Sequence, residues 1–356
     1  MKGDQLIHKL NQRIPINEIF EEIDDKSLFI LTILNCQENL LTALYLISIV
    51  NPYYSKCFLS HLFNGFENLI YELQTDDLEF DERFYDFYIS ILSAKEGNPT
   101  DYDIIKYNLI TCTSDNPNGH HTLNESQENP YITIRECPRL IGGLGTTGLR
   151  TWEASCFLSN FLINPKNHSF VTNIFNNQTV LEIGSGTSLV SLTLYKNFSS
   201  LIKKVIITDG DSSLLDNIVH GNLSLNDIQL PNDKIQVQRL LWNDPDDFSS
   251  ISDFDVIIGS DLTYDRSIIP DLINLLKKSL NTNKQRFALI SASVRNIETT
   301  LFFENLLTSN NLSFKIIEKC LNPSTNSYIN NSTKLWFKKG TFEVRIYKIY
   351  SSKCSL

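Results

Sequence analysis

The stretch Val180-Leu181-Glu182-Ile183-Gly184-Ser185-Gly186 is the part of this chain best suited to press a ligand against its own backbone. Gly184 and Gly186 carry no side chains, so the chain can bend sharply there and leave the peptide planes open. The third glycine of a dinucleotide fingerprint is missing, because Leu189 stands in its place. Glu182 sets a carboxylate beside the turn. That charge repels a pyrophosphate and welcomes the ammonium of a methionine moiety, directly or through water. Asp209 follows at roughly the 20-residue offset where an acid takes both ribose hydroxyls in such folds. On its own it could equally cap a helix starting at Ser212 or Ser213, and Asp211 next to it offers the same group. Trp242 can stack on a purine or roof the core. Ser260-Asp261-Leu262-Thr263-Tyr264 joins a small hydroxyl, a carboxylate and a ring. A lysine amine has a reference pKa of about 10.4 and must shed a proton before it attacks a methyl carbon. Asp261 can orient such an amine and accept that proton, and Tyr264 can favour a cationic amine or a sulfonium. Outside such a site the same pair is a helix cap and a core tyrosine.

These groups need elements to place them. Strand-like runs occur at 180–183, 205–208, 235–239, 256–259, 288–291, 314–317 and 342–347. Helical periodicity fills most gaps, at 189–198, 213–225, 268–280 and 297–308. The alternation predicts an α/β fold with a seven-stranded, mostly parallel sheet covered by helices on both faces. The last two runs have no helix between them, only the polar segment 322–333, which predicts a hairpin and a final antiparallel strand. Gly184, Asp209, Trp242 and Asp261 then fall just past the carboxyl ends of four different strands, the edge where open α/β sheets bind ligands. Residues 131–356 form this domain. Residues 1–94 repeat apolar side chains at helical spacing, as in Leu40, Leu41, Leu44 and Ile47, and predict a smaller all-helical domain. It serves either as packing support or as a substrate-docking unit. Residues 95–130 read as a linker with an edge strand, 107–112 pairing with 131–135. His120 and His121 lie in its polar part and read as solvent-exposed rather than as metal ligands.

Composition narrows the classes. With 42% hydrophobic and 20% charged residues, the 356-residue chain can bury a sizeable core. Its net charge of −10 argues against direct nucleic-acid binding. The 7 cysteines are scattered without metal-ligand spacing, which points to reduced thiols and no zinc site. The cytoplasm is the expected setting, with the nucleus as the alternative. The greasiest segment, 28–50, is interrupted by polar residues and falls short of the roughly 20 apolar residues a bilayer needs, so no membrane partner is expected. The chain is expected to work as a monomer.

Taken together, these residues resemble the seven-β-strand protein-lysine methyltransferases. Leu144-Gly145-Thr146-Thr147-Gly148-Leu149-Arg150-Thr151-Trp152-Glu153-Ala154-Ser155 is similar to the Thr-Gly-x-x-x-Trp-x-Ala stretch that precedes their core. The Val-Leu-Glu-x-Gly-x-Gly turn at 180–186 and the Asp-x-x-Tyr at 261–264 are also their signatures. Val294-Arg295-Asn296-Ile297-Glu298-Thr299, together with a helical N-terminal block, is similar to the eukaryotic elongation factor 2 lysine methyltransferases. The resemblance implies S-adenosylmethionine as cofactor, held by Trp152, Gly184, Ser185, Gly186, Asp209, Trp242 and Ser260. It implies that Asp261 and Tyr264 face the target amine, and that Arg150, Arg295 and Glu298 support the site or the substrate. Ser260 departs from the alanine often found in that family. The implied acceptor is a lysine of elongation factor 2. Another elongation factor, a chaperone or a histidine acceptor stays open, because loops such as 143–147 and 322–333 carry that choice. A non-catalytic binding module with the same fold is the reading from outside the enzyme class, and a nicotinamide oxidoreductase lacks its third glycine.

Overall fold

The computed structural model describes residues 1–23, 25–73, 80–110, 130–143, 145–282, 285–323 and 335–353. The N-terminal block is helical throughout, with helices Gly3–Asn11, Ile16–Glu21, Lys26–Leu34, Gln37–Ser48, Pro52–Leu73 and Arg83–Ser90. In Gln37–Ser48 the residues at helical spacing, Leu40, Leu41, Leu44 and Ile47, are buried, with Ala43 beside them. They close on Leu6, Leu10, Phe58, Leu62 and Phe84 to make a core of their own. Lys26–Leu34 and Gln37–Ser48 are apolar enough together to pass for a membrane span, yet they meet at an 84° bend. Among the described residues no single helix is long and apolar enough to cross a bilayer.

Strands β1 (Asp103–Asn108) and β2 (Tyr131–Glu136) form an antiparallel pair, with Tyr107 opposite Ile132. The strand lies four residues earlier than its expected start at 107, because Asp103 and Lys106 break the apolar alternation that marks a strand in sequence. Tertiary contacts supply what the pattern lacks: Arg13 grips Asp103 in a bidentate pair at 2.9 and 3.1 Å, and Asn51 adds a bond of 2.7 Å. The segment 111–129, with Cys112, His120 and His121, lies outside the described residues.

Seven strands make the main sheet: β3 (Thr179–Glu182), β4 (Lys204–Asp209), β5 (Ile235–Arg239), β6 (Val256–Ser260), β7 (Phe287–Ser293), β8 (Leu312–Cys320) and β9 (Val344–Ser351). Their order is β5-β4-β3-β6-β7-β9-β8, with β9 antiparallel to both neighbours and the other adjacent pairs parallel. The final antiparallel strand expected from sequence is β9, inserted between β7 and β8. Helices Leu189–Phe198, Ile269–Leu280 and Ile297–Ser309 and helical residues 212–225, interrupted by the π turn Leu215–Val219, cover the two faces. Strand residues divide between the faces with period two. Val180, Val205, Val256 and Ile258 join one core, while Leu181, Ile206 and Ile257 join the other. Burial on both faces is why these strands read as continuous apolar runs.

The chain returns to the helical block before β9. Trp336 sits in the helical core, its peptide group paired with the Gln12 amide and its ring stacked on His8 at 6.3 Å. Its neighbours Leu335 and Phe337 belong to the sheet core. Together with Arg13–Asp103, where the side chains are only 8% and 5% exposed, this segment ties the helical block to the rest of the chain. Removing one partner of a buried pair strands the other charge. Arg13→Ala should therefore lower unfolding stability by about 3–5 kcal/mol in chemical denaturation. A loss below about 1 kcal/mol, the size of a surface pair, would mean that solvent reaches Asp103.

Candidate active site

At the end of β3 the chain turns through Gly184 and Gly186, with φ of 60° and 52°, into helix Leu189–Phe198. Both lie in the left-handed region that side chains disfavour. Space is also short. A Cβ on Gly184 would come within 2.6 Å of the Leu262 side chain and 3.4 Å of the Trp242 ring. The loop before the domain packs on the same turn: a Cβ on Gly148 would stand 3.2 Å from the Gly186 Cα.

The turn forms one wall of a cleft of about 1340 Å³. It lies where strand order reverses between β3 and β6, at the carboxyl edge of the sheet. Of the ten residues singled out in sequence, Trp152, Gly184, Ser185, Gly186, Asp209, Trp242, Ser260, Asp261 and Tyr264 line it, and Glu182 does not. Glu182 is 1% exposed behind the turn, its Oε2 without a partner. Burial pushes its carboxyl up to about 8, with the Asp209 charge adding to the rise and Ser191 drawing it partly back. It is therefore not the open anion that the sequence reading set beside the ligand. Asp209 accepts from the N–H of Gly186 at 3.0 Å and of Asp211 at 3.1 Å. Burial raises it above the usual carboxylate range, against the pull of those two N–H groups. Asp211, the alternative, instead caps the following helix through Ser213 and Leu214.

The other end of the cleft is a charged lattice around Trp152. The indole N–H donates to the Thr147 carbonyl at 3.0 Å, and Arg150 and Arg295 lie over the ring at 4.6 and 5.0 Å. Ser155 and Ser260 share a hydrogen bond of 2.7 Å. Tyr264 is 50% exposed at the rim, where its hydroxyl meets Thr147 Oγ1 at 3.2 Å. Asp261 has a left-handed backbone, with φ 56°, held by its N–H on the Ser291 carbonyl at 2.7 Å. Its carboxylate is paired with Arg295 at 2.6 and 2.9 Å, so each of its oxygens already accepts a guanidinium bond.

Residues 140–309 match the profile of the family described as lysine methyltransferase. Over 98% of its length the chain is 28% identical to the protein-lysine N-methyltransferase EFM3 of Saccharomyces cerevisiae, of which it covers 99%. It is 28% identical to the protein-lysine N-methyltransferase EEF2KMT of Homo sapiens over 70% of this chain and 68% of that one. Among solved structures, precorrin-6y C5,15-methyltransferase of Geobacter metallireducens GS-15 aligns with a TM-score of 0.37 at 11% identity, covering 59% of this chain and 90% of that one.

The cofactor of this lysine methyltransferase is S-adenosylmethionine, and the residues present fit it. The glycine turn leaves a cradle that side chains would fill. Each Asp209 oxygen accepts one protein hydrogen bond and keeps capacity for another, enough for two ribose hydroxyls. Ser185 Oγ is buried at the turn without a partner. Trp242 offers its ring beside Gly184. The bound cofactor supplies a methyl group activated by a sulfonium.

Sequence reasoning passed over Glu153, Ser293 and Lys338. Glu153 had a signal, a lone charge at the head of the otherwise uncharged helix Glu153–Ile163. Ser293 and Lys338 reach the site only through strand pairing and the interdomain segment. Two outcomes check the site. Asp209→Ala should weaken S-adenosylmethionine affinity by about 10- to 100-fold in calorimetry, the loss of charge-assisted bonds; unchanged affinity would remove Asp209 from the ribose role. Glu182 holds a proton in the folded state from its ordinary 4.5 up to about 8. Folded stability therefore falls as pH rises through that window. Glu182→Gln should raise the melting temperature of the cofactor-free protein, by an amount that grows from about pH 4.5 to about pH 8 and levels off above it. A gain independent of pH would show that the carboxyl is not protonated.

Proposed function

We propose that this lysine methyltransferase modifies a lysine side chain of elongation factor 2, working as a monomer in the cytoplasm. The observation that carries the reading is the position of Arg295. It belongs to Val294-Arg295-Asn296-Ile297-Glu298-Thr299, the segment similar to the elongation factor 2 lysine methyltransferases, and its guanidinium stands in the cleft wall between Asp261 and Glu153. A segment that sets the acceptor end of the cleft is the one expected to vary with the acceptor. The match to the yeast protein runs through the helical block as well, which supports a role for that block in holding a protein acceptor. Its firm attachment through Trp336 and Arg13 gives a docked protein a fixed position relative to the cleft. The cysteines are scattered along the sequence without metal-ligand spacing, in keeping with a reducing compartment.

The chemistry follows from the geometry. Attack of an amine on a sulfonium methyl is an in-line displacement, so alignment and desolvation do most of the work. Asp209 and the glycine turn fix the nucleoside, and Tyr264 and Trp152 flank the acceptor end. The test is incubation of the purified protein with tritiated cofactor and extract from cells lacking it, followed by mass spectrometry of the labelled band. Label on one lysine of elongation factor 2 is expected. Label confined to another protein, or to histidine, would overturn the acceptor assignment and leave the family standing.

A further inference from the structure

Two carboxylates stand at the Trp152 end of the cleft, and they are in different states. The Asp261 side chain is 5% exposed. Its Oδ1 accepts from the Ser293 N–H at 3.1 Å and Arg295 Nη1 at 2.9 Å, and its Oδ2 from Ser293 Oγ at 3.3 Å and Arg295 Nη2 at 2.6 Å. A carboxylate offers about four lone-pair directions, and here all are taken. The Glu153 side chain is 23% exposed. Its Oε1 accepts from Arg150 Nη2 at 2.8 Å, while Oε2 has only Arg295 Nη2 at 3.4 Å. That second contact is long for a charge-assisted bond, so Oε2 keeps lone pairs for a further donor.

We propose that Glu153 is the residue that receives the acceptor lysine, and that Asp261 and Arg295 are positioning residues that hold it in place. This inference rests on the reading of the acceptor as a protein lysine. The groups facing Glu153 are Arg150 just before its helix, Arg295 after β7, Lys338 before β9 and Cys156 on its own helix; Asp261 and Glu136 meet the same cations from the other side. Three cations gather around it, so an incoming ammonium is pressed to lose its proton. Lys338 shows both influences: burial first, then the Arg150 charge, lowers its pKa, while Glu136 and Glu153 draw it partly back. The lysine ε-ammonium gives one proton to Glu153 Oε2, which passes it to bulk water. The nitrogen lone pair then forms the N–C bond as the C–S bond breaks, and that electron pair stays on sulfur, leaving a neutral sulfide. When the transferred proton has gone to water, Glu153 is again an anion and the site is restored.

The test compares the full-length wild type with Glu153→Gln, Glu153→Asp and Asp261→Asn, using unmethylated elongation factor 2 as the acceptor. For each chain kcat and KM are measured from neutral pH to about pH 10, where the free amine becomes abundant. Acceptor and cofactor affinities are measured separately by calorimetry, and folding by melting. Glu153→Gln should lose about 10²- to 10³-fold in kcat/KM at neutral pH, as expected when a general base is removed. The loss should shrink as pH rises, because a neutral amine needs no base. Acceptor affinity should fall while cofactor affinity stays within about threefold, well under the tenfold that 1.4 kcal/mol makes. Glu153→Asp should show a smaller loss with the same recovery, which keeps the test decisive if the amide variant folds poorly. Asp261→Asn should lose activity at every pH without recovery, since it frees Arg295. Wild-type turnover by Glu153→Gln at neutral pH, a loss that does not change with pH, or a parallel loss of cofactor affinity would each overturn the role. A wild-type chain that labels a lysine of a different protein refutes only the acceptor's identity, and the same variants are then read on that protein.

Discussion

The ion pair between Asp261 and Arg295 is the constraint on which the site depends. It joins the ends of two adjacent strands, β6 and β7, at the edge where the sheet opens. Left unpaired, either charge would be costly in so buried a place. Paired, they fix a left-handed turn at Asp261 and set Arg295 over the Trp152 ring. Arg295 in turn reaches Glu153, and Glu153 reaches Arg150. One buried pair thus orients a ring, a second carboxylate and a second guanidinium along a single wall.

Behind that wall lies a second layer of buried polar groups. Glu136 on β2 accepts the Tyr107 hydroxyl at 2.8 Å and the backbone N–H of Thr151. The Thr151 hydroxyl bonds Thr187, next to the glycine turn, at 2.7 Å. The small β1–β2 pair therefore braces the segment that carries Trp152 from behind, and Arg13 ties the same pair to the helical block. Lys338 and the Trp336 peptide bring the chain before β9 into both domains. Rigid support of this kind is what a displacement reaction needs, since small errors in alignment cost large factors in rate.

The sheet was legible because its strands are buried on both faces and its helices are amphipathic, and each of these prints a period on the sequence. Runs 189–198 and 235–239 coincide with the observed helix and strand. The glycine turn was legible because only glycine suits its backbone. β1 was misplaced by four residues because Asp103 is a charge that Arg13, ninety positions away, and Asn51 make acceptable. The placement of Glu182 went wrong for a related reason. Sequence places it next to the turn but cannot say which side of the sheet receives it, and there it is enclosed rather than exposed.

By itself, the sequence determined the periodic elements, the sharp turn at 184–186 and the set of acids that follow the strand ends. These are local properties, set by side-chain period and backbone freedom. Tertiary structure alone decided which acid is free to act. Asp261 and Glu153 are both plain carboxylates in sequence, and their difference lies in how many donors reach each one. Those donors come from Ser293 and Arg295 in one case, and from Arg150 with one long contact from Arg295 in the other. Hydrogen-bond saturation is a count of neighbours in space, and neighbours more than 30 positions apart leave no trace in a local pattern.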